Sequence, residues 1–336
     1  MERKLASIQK ITNIRPHNNA DKLELANVLG WQVVVKKGEF KENDLIIYCE
    51  VDSVLPDVPI FEFLRDKHFR IKTIRLRGEI SQGICFPLST INPVSTILNL
   101  GEEGADLTEL LGIKKWEPAI PVQLAGTVIG NFPSFIPKTD ETRIQAVPEV
   151  LNRHRGKTMT VTEKIDGTSV TYFVRDDKFG VCSRNLQIKE TEENLYWQMA
   201  KRGNIEHKLR AVGHNVALQA EIAGMGVQGN KLKRLGVELY AFDVFDIDAF
   251  KYLNPDEFVG FCRIHEIETV PIITENLPLI FTVDELVTFA TRKSLITPSE
   301  LVEGVVFRPS QETKDEELGR LSFKVINPEF LIKHKE

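Results

Sequence analysis

Through its first 110 or so residues the chain repeats one figure: a short run of apolar and β-branched residues, then a cluster that favours a turn. "KLASIQKITNIRP" and "KLELANVLGWQVVVKKGEF" are broken by His-Asn-Asn and Lys-Gly, and "DLIIYCEVDSVLP" and "IKTIRLRGEISQGICFPLS" repeat the pattern. Several strands at short spacing, with many turn residues and little helical periodicity, predict a small β-barrel rather than a bundle or an open parallel sheet.

A five-stranded barrel of the OB type fits the length of this region. Residues 112–138 ("GIKKWEPAIPVQLAGTVIGNFPSFIPK") are rich in Pro and Gly and predict an interdomain connector. "PEVLNRHRGK" predicts a short helix with Pro148 in its first turn. Beyond it, strands are expected at 158–165, 168–175, 179–183, 215–223, 237–245, 303–308 and 320–326, and helices near 192–212, 254–266 and 283–293. This second region reads as α+β with mainly antiparallel sheet. There is no internal repeat and no low-complexity tract.

Composition narrows the setting. The 336 residues carry a formal net charge of −5, which does not exclude nucleic acid, since local basic patches decide such binding. No apolar run approaches the roughly 18–20 residues that span a bilayer, and the opening "MERKLASIQKITNI" lacks a signal-peptide pattern. Cys49, Cys85, Cys182 and Cys262 are far apart and form no CxxC pair, so free thiols in the cytoplasm are expected. The seven histidines are scattered and give a zinc site little support.

One stretch stands out, "TEKIDGTSV" (162–170). On a strand Met159 and Val161 share one face while Thr160, Thr162 and Lys164 share the other, ahead of a turn at Asp166-Gly167. Alone, this is also what an exposed strand-end lysine looks like. Further along, "NVALQAEIAGMGVQGN" puts Gln219 and Glu221 opposite Val216, Leu218, Ala220 and Ile222, and runs into a glycine-rich loop. "ELYAFDVFD" centres on Phe242, "LVEGVVFRP" sets Glu303 beside a glycine, and "LSFKVIN" carries Lys324 in an apolar strand. Acids and lysines among β-branched residues are costly to bury without partners.

In this order the series resembles the covalent nucleotidyltransferases, the superfamily of ATP-dependent DNA and RNA ligases and GTP-dependent capping enzymes. The matching segments are "EKIDG", "SRN", "LQAEIAG", "YAFDV", "EGVVFR" and "LSFK", collinear from 163 to 324. With "FPSFIPKTDETRIQ" and "IAGMGVQGN", the full chain is similar to RNA ligases of the Deinococcus type with an N-terminal OB domain. "HNNADKLELANV" and "RLRGEISQGI" also resemble OB-type tRNA-binding domains. The resemblance implies an OB-fold nucleic-acid-binding domain at 1–115, a connector at 116–138 and a nucleotidyltransferase (adenylation) domain of antiparallel sheets with flanking helices at 139–336. It implies no C-terminal OB domain of the kind found in DNA ligases and capping enzymes.

What the resemblance implies for chemistry is a ligase that seals 3′-OH and 5′-phosphate RNA ends, in a nicked duplex, through a lysyl-AMP intermediate made from ATP. Lys164 is the implied nucleophile. A free lysine near pKa 10.4 is neutral in only about four molecules in ten thousand at pH 7, so deprotonation alone adds about 4.6 kcal/mol to the barrier. Carboxylates around it worsen this unless they hold a cation. Asp166, Glu221 and Glu303 are therefore expected to hold Mg²⁺ or Mn²⁺, directly or through its waters, although simple pairing with Arg184 and Lys324 would also account for them. Phe242 is expected on the purine, Arg184 and Asn185 on the ribose or flanking phosphate, Lys324 on the α-phosphate and Arg143 on the β- and γ-phosphates. Glu163 and Gly167 complete the nucleotide set. Many relatives carry K-x-K where Ser322 and Lys324 stand here. For nucleic acid, Lys231, Lys233 and Arg234 beyond the glycine-rich loop and Arg70, Lys72, Arg75 and Arg77 in the basic stretch 65–78 are the candidates. A monomer is expected. A GTP-dependent capping-type enzyme and a non-catalytic RNA-binding protein are the rival readings.

Overall fold

The computed structural model describes residues 3–90, 102–116 and 128–335. It divides into two compact units, one of Met1–Pro118, Ile144–Asn152 and Pro328–Glu336, the other of Ala119–Arg143 and Arg153–Asn327. No helix among the described residues is long and apolar enough to cross a membrane. All four cysteines are free and buried.

The first unit is built on the strand Ala6–Pro16. Its first half pairs antiparallel with Leu45–Cys49 and its second half with Leu23–Val28. A register shift between Ile11 and Asn13 separates the halves, the kind of bulge that lets one strand bend and serve both sides of a barrel. The resulting five-stranded sheet runs Trp31–Lys36, Leu23–Val28, Ala6–Pro16, Leu45–Cys49, Ile84–Pro87. Trp31, Tyr48, Ile8, Ile46 and Ile47 are all buried in its apolar core. This is the OB half-barrel expected from the spacing of apolar runs and turns.

The second unit holds two sheets. One, of seven strands, runs Val128–Asn131, Leu186–Ile188, Lys178–Ser183, Thr168–Arg175, Val216–Gly224, Val237–Asp246, Lys251–Tyr252. The other, of five, runs Thr142–Arg143, Phe323–Ile326, Gly304–Pro309, Thr158–Lys164, Ile272–Pro278. Within both sheets all pairings are antiparallel except Thr142–Arg143 with Phe323–Ile326, where a parallel step sets Arg143 beside Lys324.

Several local expectations are amended. The helix expected over 192–212 is two, Leu195–Arg202 and Ile205–Arg210, because Gly203 ends the first and Asn204 takes a left-handed φ of 49°. The strand Ile272–Pro278 and the helix Pro328–His334 were not expected; the first is an edge strand with an irregular register, which blurs alternation. In the expected connector, 117–127 lie outside the described residues. Its later part is packed structure: Val128–Asn131 pairs with Leu186–Ile188, and Phe132, Phe135 and Ile136 pack with Phe173 and Phe245.

Gly304 shows what the five-stranded sheet demands. It stands between Lys164 and Ile326 in register, and a β-carbon there would meet the Val325 carbonyl oxygen at 2.3 Å. Gly304→Ala should therefore destabilise this unit by about 1–3 kcal/mol, read as a lower midpoint in urea unfolding. An unchanged midpoint would show that the strands are not this close.

Candidate active site

Lys164 ends a strand whose polar face is not solvated. Thr160 and Thr162 are buried, as are Met159 and Val161 on the other side. The chain then leaves the five-stranded sheet at Ile165 and enters the seven-stranded one at Thr168, so the lysine sits at the crossing between the two. Gly167 makes the crossing possible: a β-carbon there would lie 2.3 Å from the Ile222 carbonyl oxygen and 3.0 Å from Glu221 Cγ. The expected turn glycine is thus a close-approach glycine.

The Lys164 ammonium donates to Glu303 Oε2 at 2.6 Å. Burial pulls its pKa down, but Glu303, Glu221 and Asp166 outweigh burial and hold it above the usual lysine range. Glu221, by contrast, is pushed up to about 8, by burial first and by Glu303 and Asp166 next, against the pull of Lys164. Lys324 is pulled down to about 7 by burial and by the charges of Lys164 and Arg143. Lys164, Lys324 and Arg143 therefore share one electrostatic region with Asp166, Glu221 and Glu303, and Lys231 joins it through Asp166. The sequence brought each of these residues forward, and the fold brings them into one electrostatic neighbourhood.

Simple pairing of the acids with Arg184 and Lys324 is not what the structure contains. Arg184 is bound to Asp140 at 2.6 Å, and Asp166 is bound to Lys231 at 3.1 Å. Lys231, expected to meet nucleic acid, is instead a nearly buried charge partner inside the site, its side chain 12% exposed. Lys233 reaches Glu300 at 2.6 Å while remaining largely exposed, and Arg234 pairs with Glu238 at 2.7 Å. The Glu163 carboxylate is buried and accepts from the Ser294 hydroxyl and the Leu295 N–H, which braces that loop. Asn185 accepts from the Lys138 ammonium at 3.1 Å. Among the described residues no group of three or more His, Cys, Asp or Glu side chains is disposed to hold a metal ion directly.

Beside this cluster lies a cavity of about 320 Å³ lined by Phe242, Gln219, Asp243, Tyr252, Arg320 and Ser322, among others. A bulge shapes it. Gln219 pairs with Asp243 and Ala220 with Ala241, so Phe242 is the extra residue in its strand. Ala241 and Val244 pack into the apolar core, which leaves Phe242 and Asp243 both on the cavity side.

Beneath them runs a charge network that the sequence reading passed over. Asp243 binds Arg320 at 2.7 Å and Arg308 at 3.2 Å; Arg308 also reaches Glu141 at 3.2 Å, and Arg320 reaches Glu312 at 2.6 Å. Ser322, at the place of the first lysine in K-x-K, donates to Glu141 at 2.7 Å. The signal was present: Arg308 stands in a strand buried along its whole length, and Asp243 in an apolar one, and neither is tolerable without partners.

Of the OB-unit candidates, three are engaged internally. Arg70 binds Asp52 at 2.8 Å and stacks 3.4 Å from the Trp116 ring centroid, Lys72 donates to the Lys335 carbonyl at 2.7 Å, and Arg75 binds Glu329 and the Gly78 carbonyl. Arg77 is exposed.

Comparison with known proteins bears on this geometry directly. Residues 157–326 match the RNA ligase family model, and residues 5–88 match an OB-fold domain model. No curated protein sequence matches the chain. Among solved structures, Naegleria gruberi RNA ligase with PPi is 36% identical with a TM-score of 0.89, over 99% of each chain. A mutant of that ligase with AMP and Mn and another with ATP and Mn give the same identity and coverage, each with a TM-score of 0.90. A likeness of this extent, over 99% of each chain, means that the chain belongs to the RNA ligase family.

Proposed function

We propose that this protein is an ATP-dependent RNA ligase of the Deinococcus type that seals 3′-OH and 5′-phosphate RNA ends, in nicked duplexes, through a lysyl-AMP intermediate. One observation carries the reading: the half-buried Lys164 amine, 2.6 Å from Glu303 and within the field of Glu221 and Asp166. The Naegleria gruberi ligase, solved with ATP or AMP and Mn, supports assigning ATP and a divalent cation, Mg²⁺ or Mn²⁺, to this chain. Action as a cytoplasmic monomer is part of the same proposal.

Lys164 Nζ attacks the α-phosphorus of ATP; the bond to the bridging oxygen breaks, pyrophosphate leaves and AMP remains on nitrogen. The RNA 5′-phosphate takes AMP from Lys164, and the 3′-OH then displaces AMP as the phosphodiester forms. Phe242 stacks on the purine, Arg184 and Asn185 contact the ribose side, and Lys324 with its neighbour Arg143 meets the phosphates. Ser322, tied to Glu141, leaves that cationic role to the other two.

The donor set fits a hydrated cation. Glu303, Glu221 and Asp166 all act on one amine, and one of the three is raised to about 8, so negative charge is in surplus there. Asp166, Glu221 and Glu303 would hold it through its water shell; when bound it offsets their charge, favouring the neutral amine, and stabilises charge growing on the α-phosphate.

Three outcomes are expected. Incubation with α-labelled ATP should label the protein and α-labelled GTP should not, and Lys164→Ala should lose all label; labelling by GTP alone would return the capping-type reading. Because Glu221 must shed a proton that it holds below about 8, affinity for Mn²⁺ should weaken as pH falls, by up to about tenfold per unit, in calorimetric titration. Glu221→Gln should flatten that dependence, and a flat wild-type profile would count against the raised pKa of this carboxyl. In a panel of nicked RNA, DNA and hybrid duplexes, sealing should be fastest with RNA at the nick, and preference for all-DNA nicks would overturn the RNA assignment.

A further inference from the structure

The two stretches that resemble tRNA-binding OB domains, "HNNADKLELANV" and "RLRGEISQGI", lie more than fifty positions apart in sequence, yet the fold joins them. The hairpin of Ile74–Leu76 and Glu79–Ser81 turns through Arg77 and Gly78, both with positive φ (46° and 97°), as a tight mirror-image hairpin turn requires. An arginine seldom adopts such a backbone, and three side chains from the first stretch hold it there.

His17 is buried, and both of its ring nitrogens are used. Nδ1 accepts the Asn19 N–H at 3.0 Å, so Nε2 carries the proton and donates to the Leu76 carbonyl at 3.1 Å. The Asn19 amide donates to the Arg77 carbonyl at 3.0 Å, and the Asn18 amide donates to Glu79 at 2.7 Å. Gly78 is needed for this approach, since a β-carbon there would lie 2.9 Å from Asn19 Nδ2. At the hairpin's other end Gln32 donates to the Ile80 carbonyl at 2.8 Å and accepts from Arg15.

The clamp spends its polar groups on backbone and leaves one cation out. The Arg77 guanidinium is exposed and takes no hydrogen-bond or ion-pair partner among the described residues, unlike Arg70, Lys72 and Arg75. Ile74 and Leu76, 45% and 37% exposed, flank it. A fixed cation with apolar neighbours on an OB barrel suits a nucleic-acid backbone with bases laid beside it.

We infer that the Leu76–Glu79 turn is an RNA contact, with Arg77 meeting a backbone phosphate and His17 and Asn19 acting as positioning residues that hold it in place. This deepens the ligase reading and rests on it for the choice of RNA as ligand.

The test is equilibrium binding of the full chain to a fluorescent nicked RNA duplex with 3′-OH and 5′-phosphate ends, from 50 to 200 mM salt, with ATP labelling of Lys164 followed in parallel. Asn tolerates the left-handed backbone, so Arg77→Asn keeps the turn and removes only the cation. It should weaken binding about five- to tenfold at low salt and reduce the salt slope by about one, leaving ATP labelling unchanged. Asn19→Ala frees the turn but keeps the charge, so binding should weaken by about two- to threefold with the slope retained. Arg65→Asn, which removes an arginine already paired with Asp57 and Glu62, should change neither. Wild-type affinity and slope in Arg77→Asn would overturn the inference, as would equal losses in Arg65→Asn. Failure of the wild type to label with ATP would instead strike the ligase reading, whatever the binding curves give.

Discussion

The crossing between the two sheets of the second unit is organised around one ammonium, Lys164, bonded to Glu303 and within the field of Glu221 and Asp166. Lys164 and Glu303 are 2.6 Å apart because Gly304 and Gly167 let neighbouring backbones come closer than any side chain would permit. The acids come from three places: the crossing itself, the strand Val216–Gly224 and the residue before Gly304. The arrangement makes the resting amine a poor nucleophile, since nearby negative charge favours its protonated form. It also makes a strong site for positive charge.

The neighbouring cavity rests on a different constraint. Asp243, Arg308, Arg320, Glu141 and Glu312 form a largely buried network in which each charge has at least one opposite partner. Such networks add little net stability compared with a well-packed apolar core, but losing one member leaves a bare charge and costs about 3–5 kcal/mol. Their value here is positional. The bulge puts Phe242 and Asp243 on the same face, so the aromatic ring faces the cavity while the adjacent carboxylate is anchored below it.

In the OB unit, counting charges misleads. The basic stretch 65–78 contains the cations a nucleic-acid surface needs, yet most of them serve the unit's own structure: Arg65 with Asp57 and Glu62, Arg70 with Asp52 and Trp116, Arg75 with Glu329. Meanwhile the side chains of His17, Asn18 and Asn19 hold the turn from which the exposed Arg77 projects.

Local patterns in the sequence were enough for much of this. Alternation and turn residues gave a five-stranded OB-type barrel and cysteine spacing gave free thiols, because each depends on neighbours within a few positions, whereas the lysine and its acids were grouped only by the resemblance of a series that runs from 163 to 324. What alternation could not give was the fate of a polar face. Thr160, Thr162 and Gln219 lie on the polar side of their strands by alternation, yet all three are buried, Gln219 with its amide donating to the Pro137 carbonyl. Nor could it choose partners for charges: Lys231 turned to Asp166, Glu163 to Ser294 and Leu295, and Arg308 to Asp243. Sequence fixes which groups are charged and roughly which way a strand points them; which opposite charge each one meets is settled only when distant segments pack, since Coulomb and hydrogen-bond energies depend on ångström distances that no spacing along the chain encodes.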